Sequence, residues 1–276
     1  MRSHSLTIVM TFSNLVSAIP TTLRPRDEFT ASSKRGIPFN DPAFTHLFAI
    51  PGSKVSWMYN WDSTVQGAEP SFEYVPMLHS TLPDHTSVWS QRWPLEVLDG
   101  SRHILSFNEP DQCGFGGACM QNVGSTVDAY RQYIQPIAKY RQYVRVGAPA
   151  VSNGVLDSAT NSPMGLPWLK QFEDACSGCT YDFVAVHWYD AAWNIDYFKN
   201  FIRDSRDAAR GRPIWLTEFG ASGSEEEVIN FLKVVLPWLD GEDYVERYAY
   251  QWAAPGSLVN ADGNSLSLIG QAFAMY

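Results

Sequence analysis

Two apolar runs, far apart in the chain, end in the same way, and that repeat restricts the fold more than any other feature. The first is Leu105-Ser106-Phe107-Asn108-Glu109-Pro110-Asp111, led in by Ile104. The second is Pro213-Ile214-Trp215-Leu216-Thr217-Glu218-Phe219-Gly220. Each reads as a buried strand that stops at one acid. Pro110 has no backbone donor and cannot continue a central strand, and Gly220 is the matching breaker after Glu218. A carboxylate at the end of an apolar run is costly unless it is partnered or functional. Taken singly, either acid reads equally well as a surface or helix-capping residue. Taken together, they predict two carboxylates that meet across a common mouth.

Other runs alternate with these. Strands are predicted over 34–40, 55–61, 72–79, 103–109, 144–151, 182–189, 213–219 and 247–252, with Trp57, Tyr59 and Trp61 sharing one face at period two. Helices are predicted over 125–143 with a kink at Pro136, over 167–176, 196–210, 224–239 and 266–276, and over part of 85–99. Ser224 with Glu227 makes a capping box, and Ser125 opens a similar pattern. Eight strands alternating with crossovers predict an α/β fold, a (β/α)8 TIM barrel forming a single domain over 34–276. An open doubly wound sheet would want a Gly-rich phosphate turn after the first strand, and none is present. Barrel sites lie at the carboxyl ends of the strands. That puts Glu109 on the fourth strand and Glu218 on the seventh, across the mouth from each other.

Composition narrows the partners. The 276 residues are 45% hydrophobic and 18% charged, enough apolar content for a sizeable core. A net charge of −9 argues against nucleic acid or an anionic membrane surface and fits a neutral substrate. Aromatic residues reach 14%, with ten Trp, which suits both a core and a groove for sugars. Arg2 and His4, the apolar run from Leu6 to Ile19 and the small residues Val16-Ser17-Ala18 predict a signal peptide over 1–18, followed by a linker over 19–33. The rival is a disordered or surface-packed leader. The run is too short and polar to span a bilayer. A secreted, extracellular or cell-wall monomer is expected. Cys113 and Cys119 flank a Gly-rich loop, and Cys176 and Cys179 form a second close pair. Two local disulfides in an oxidising compartment, one four-thiolate zinc site and free thiols are the open readings, the first being preferred because the first pair is spaced wider than a zinc knuckle. No P-loop, nucleophile elbow or His-Glu-x-x-His occurs, and the six His are scattered, so neither a metal nor a cofactor is expected.

Paired carboxylates suit glycosidic hydrolysis. One donates a proton to the leaving oxygen while the other, ionised, attacks the anomeric carbon. Other candidates fall at the same mouth. Asn108 can hydrogen-bond a sugar hydroxyl, Tyr189 can hold the nucleophile, and His187 shares its face. Trp252 can lie under a ring, with Tyr59, Asn60, Trp61 and His79 as further substrate contacts. For each of these, packing in the core is the plain alternative.

These residues resemble a known group. Ser-Phe-Asn-Glu-Pro-Asp (106–111), Ala-Pro-Ala-Val-Ser-Asn-Gly (148–154), Val-Ala-Val-His-Trp-Tyr (184–189), Trp-Leu-Thr-Glu-Phe-Gly (215–220), Lys-Arg-Gly (34–36) and Trp-Met-Tyr-Asn-Trp (57–61) are similar to motifs of glycoside hydrolase family 128 over about residues 34–276. The resemblance implies a secreted, fungal-type endo-β-1,3-glucanase that retains anomeric configuration, with Glu109 as acid and base and Glu218 as nucleophile. It implies a β-glucan oligo- or polysaccharide as partner. Two rivals stand beside it: a barrel hydrolase of another β-glucan linkage, and a non-catalytic β-glucan-binding barrel.

Overall fold

The computed structural model describes residues 34–276; the expected signal peptide and linker lie outside the described residues. Eight strands follow one another: β1 Arg35–Pro38, β2 Val55–Tyr59, β3 Glu73–Tyr74, β4 His103–Ile104, β5 Arg145–Val146, β6 Val184–Ala191, β7 Ile214–Ser222 and β8 Val245–Tyr250. Six of them form one parallel sheet in the order β3-β2-β1-β8-β7-β6, and β4 pairs with β5 in a second. Isolated parallel bridges join the two sheets. Met77 pairs with Leu105 on one side, while Gly147 pairs with Phe183 and Val151 with Val186 on the other. The ring therefore closes, as a (β/α)8 barrel requires.

Period-two alternation sorts the side chains into two layers. Trp57, Tyr59, Val75, Met77, Leu105, Phe183, Trp215 and Ala249 pack with one another as the barrel interior. Met58, Val184, Val186, Trp188, Leu216 and Phe219 pack outward against the helices. Those helices are α1 Pro83–Asp99, α2 Val123–Tyr133, α3 Gly165–Ala175, α4 Ile195–Ala208, α5 Glu225–Gly241 and α6 Leu268–Met275. In the α5 shell, Trp188 stacks on Phe231 and meets Phe198 edge-on. The amino-terminal end of the barrel is closed by charge. Glu73 bonds His103 at 2.8 Å and Arg247 at 2.5 Å, and the Arg247 guanidinium lies 4.6 Å from the Trp215 ring centroid.

Several expectations are corrected. The chain is helical throughout α1, with Pro94 inside it. α2 starts earlier than expected, capped by Asn122, whose side chain accepts from the Ser125 amide. It ends at Tyr133, and Pro136 sits in a separate 3-10 turn rather than at a kink. A second 3-10 turn, Pro42–Phe48, went unread. The strands predicted over 72–79, 103–109 and 144–151 are regular for only two residues each, their remainder being carried by isolated bridges. Gly220 does not end its strand: β7 runs on to Ser222 beside the equally extended β6. The capping box at Ser224 and Glu227 is present as expected.

Candidate active site

Glu109 and Glu218 come together at the carboxyl ends of β4 and β7. An oxygen of each and a ring nitrogen of His187 all lie within 4.8 Å of one another, and all three residues are buried. Local backbone puts them there. Glu109 has φ +42°, a left-handed conformation that costs a non-glycine residue about 1 kcal/mol, and it turns the chain immediately before Pro110. A β-bulge acts on the other side. The register passes from Val186 opposite Leu216 to His187 opposite Glu218, skipping Thr217. The bulge turns two consecutive residues, Thr217 and Glu218, toward His187 and the mouth. Parity alone would have turned one of them outward.

The two acids differ in their surroundings. Glu218 accepts from three donors: Trp61 Nε1 at 2.7 Å and Tyr59 OH at 3.2 Å on one oxygen, and Tyr189 OH at 2.6 Å on the other. Burial, and then the charge of Glu218, push both phenols far above their ordinary range, so each remains a donor. Glu109 has two partners: His187 Nδ1 at 2.8 Å on one oxygen, and Gln112 Nε2, which donates at 3.1 Å to the other. The far ring nitrogen of His187 lies 2.9 Å from the Thr217 hydroxyl. Burial alone would lower this imidazole, but the charge of Glu218 and its bond to Glu109 outweigh that and raise it. The same three groups are close enough to ligate a cation. Three N–H and O–H donors, however, already point at the two oxygens of Glu218.

Most of the other expected residues gather here too. Asn108 Nδ2 donates to the Gly116 carbonyl at 3.2 Å, and His79 Nε2 lies 2.9 Å from the same oxygen. Asn108 Oδ1 and His79 Nδ1 are left buried without a hydrogen-bond partner. The His79 ring stacks on His85, and burial, then His85, lowers its basicity. Trp252 meets Trp61 edge-on at 5.9 Å. Asn60 is different: its side chain bonds Thr64, Asp62 and Tyr74, which shapes the turn after β2, and none of these bonds reaches the acids. The four cysteines form two disulfides, Cys113–Cys119 and Cys176–Cys179, so no thiolate zinc site exists among them.

Sequence reading missed Thr217, Gln112 and Asp111. Asp111 is fully buried and accepts from the Ser152 amide and hydroxyl and from the Gly165 amide, tying the loop after β4 to the one after β5. Gln112 follows Glu109 by three residues, a spacing that could have been noticed. Thr217 gave no such signal, because only the bulge turns it inward.

Comparison with known proteins fits this geometry. A family model described as a glycosyl hydrolase catalytic core matches residues 36–273. Alkali-sensitive linkage protein 1 of Schizosaccharomyces pombe is 33% identical over 255 residues, covering 88% of this chain and 43% of that protein. The chain thus spans less than half the length of that curated relative. Among solved structures, a curdlan-specific exo-β-1,3-glucanase of glycoside hydrolase family 128 from Blastomyces gilchristii, in complex with glucose, is 36% identical. It superposes with a TM-score of 0.77, covering 89% of this chain and 99% of that one. A family 128 endo-β-1,3-glucanase from Sorangium cellulosum is 25% identical with a TM-score of 0.71, over 87% and 97%. Another, from Amycolatopsis mediterranei and bound to laminaripentaose, is 26% identical with a TM-score of 0.67, over 87% and 98%.

Proposed function

The chain belongs to the glycosyl hydrolase catalytic-core family, within glycoside hydrolase family 128, and from that premise we propose that it hydrolyses β-1,3-glucan by a retaining double displacement. The observation that carries the reading is the pair of buried carboxylates whose oxygens approach within 4.8 Å. Nearest oxygens at that approach are compatible with the roughly 5–5.5 Å between the carboxyl groups of retaining enzymes.

Glu218 is the nucleophile. Three donors hold it aimed while it attacks the anomeric carbon. As that bond forms, the glycosidic C–O bond breaks, and Glu109 passes its proton to the leaving oxygen. Glu109 then takes a proton from water, the water oxygen attacks the same carbon, and Glu218 leaves as carboxylate. His187 and Gln112 fix the direction of Glu109 throughout. Asn108, with its unpaired Oδ1, accepts from a sugar hydroxyl beside the reacting bond. His79, with its unpaired Nδ1, is a second polar contact. Trp61 and Trp252 supply aromatic faces at the same mouth.

The test is Glu218→Gln assayed on a laminarin-type glucan. A loss of about a thousandfold or more is expected for removing a nucleophile; activity near wild type sinks the mechanism and leaves the non-catalytic binding barrel. NMR of the first-formed product reads the anomer: β for retention, α for inversion. A panel of β-1,3-, β-1,4- and β-1,6-glucans decides the linkage. Endo action is our reading, and it has a specific rival, since the Blastomyces enzyme, the more similar of these solved structures by identity, is described as exo-acting. Early release of mixed oligosaccharides supports endo cleavage; release of glucose alone supports exo.

We further propose that the protein works outside the cell as a monomer. Two disulfides favour an oxidising compartment, and no helix among the described residues is long and apolar enough to cross a membrane. Recovery of chain cleaved near residue 18 from culture medium, eluting at monomer mass, is the expected result.

A further inference from the structure

Large exposed apolar side chains are unevenly distributed over this barrel. Five of them follow three consecutive strands at the carboxyl end: Phe115 after β4, Val155 and Leu156 after β5, and Tyr189 and Trp193 at the end of β6. Phe115 is entirely exposed at 101%, and Trp193 is 79% exposed. Single exposed apolar side chains are ordinary, but several gathered on neighbouring loops mark an interaction or ligand-binding surface.

The segments bearing these residues are braced as one piece. Gln121, from the loop after β4, bonds Asp157 and Thr160 in the loop after β5. Asn153 in that same loop bonds the backbone of Tyr189 and the Tyr197 hydroxyl. Phe115 itself stands out from a tight, disulfide-closed loop. It has φ +49° between Gly114 and Gly116, both also left-handed, inside the ring closed by Cys113 and Cys119. A bulky residue in that conformation is uncommon, and such positions cluster at ligand contacts.

The rim is continuous with the candidate site. The Gly116 carbonyl next to Phe115 accepts from Asn108 and contacts His79, and the Asn108 carbonyl accepts from the Ala118 amide at 2.7 Å. At the other end Tyr189 is both a rim residue, 40% exposed, and the donor to Glu218.

We propose that Phe115 and Trp193 are outer platforms that hold a β-1,3-glucan chain beyond the sugars at the acids, along the β4–β6 side of the mouth. This rests on the glucanase reading above. The occupant is a neutral saccharide because the rim offers flat, uncharged faces that continue directly from the residues around Glu109 and Glu218, and stacking on such faces is how C–H-lined sugar rings are bound. The platforms act at a distance from the reacting bond, so their effect grows with chain length.

The test compares the parent with Phe115→Ala, Trp193→Ala and the double variant, on laminarin and on laminaritriose. The expected result is a KM for laminarin raised about three- to tenfold per residue, with a smaller change on laminaritriose and an unaltered Tm. Equal effects on both substrates, or none on laminarin, overturn the proposal. Affinity electrophoresis in laminarin gels keeps it separate from the mechanism. Even if the parent cleaves neither substrate, retardation lost in the double variant supports the platform, and equal retardation refutes it. Should size exclusion instead reveal a parental dimer that the double variant breaks, with laminarin binding intact, the face belongs to a second copy and the glucan assignment falls.

Discussion

At Gly220 a single added atom would disturb the site. A Cβ built on it would stand 2.9 Å from Tyr189 Cε1 and 3.0 Å from Cδ1. Ordinary carbon contacts begin near 3.5 Å, so Gly220→Ala must push the phenol ring aside by roughly 0.5 Å. That ring carries the 2.6 Å bond to Glu218, the shortest of the three it accepts. A hydrogen bond to a charged group contributes about 1.5–3 kcal/mol. Losing it from the proposed nucleophile lowers kcat/KM by roughly 10- to 150-fold if the whole contribution is felt in the transition state. Stability falls by about 1–3 kcal/mol from the crowding. Tyr189→Phe removes the same bond without crowding and gives a similar kinetic loss. The decisive assay is the cycle of the two singles and the double on laminarin. Because both act through one hydrogen bond, the double is expected to be no worse than the poorer single. Wild-type kinetics for Gly220→Ala, or losses that simply add, refute the claim that Gly220 exists to admit the Tyr189 ring.

Other outcomes follow from the charges. The proposed double displacement needs one acid and one base, so kcat/KM on laminarin should be bell-shaped with an acidic to neutral optimum; a flat profile counts against two-acid chemistry. Burial disfavours the Glu73 carboxylate, but Arg247 and His103 overcome that and hold it well below the usual carboxylate range. Its stabilisation is therefore complete above the ordinary Glu value of about 4.3 and is lost only as pH falls toward its depressed folded value. Glu73→Gln leaves Arg247 buried and unpaired at the barrel floor, costing about 3–5 kcal/mol at neutral pH, or roughly 10 °C in Tm by calorimetry. His187 has the opposite sign. Its raised folded value makes its contribution full below about pH 6.5 and lost as pH climbs through that value. The urea midpoint of the parent should fall more between pH 5.5 and 8.5 than that of His187→Gln; parallel slopes would contradict the raised imidazole.

Much of this was legible before any coordinates. Apolar runs ending at Glu109 and Glu218, with helical patterns between them, imply parallel strands, and parallel strands with crossovers of this number close into a ring. Pairing at short spacing already favoured local bridges for Cys113 with Cys119 and Cys176 with Cys179, and Ser224 with Glu227 announced its helix. These are local patterns, governed by backbone sterics and by the period at which apolar side chains repeat. Strand limits were less legible. Gly220 reads as a breaker, yet β7 continues past it because β6 supplies hydrogen bonds to its edge and Tyr189 fills the space over the missing side chain. Asn60 reads as a mouth residue, yet it is occupied in its own turn. Tertiary structure alone decided how near Glu109 and Glu218 come, which donors each receives, and that Thr217 turns inward beside its neighbour. The physical reason is that those facts depend on register between strands distant in sequence. A one-residue bulge changes which face a side chain occupies, and no local preference in the chain records where that bulge will fall.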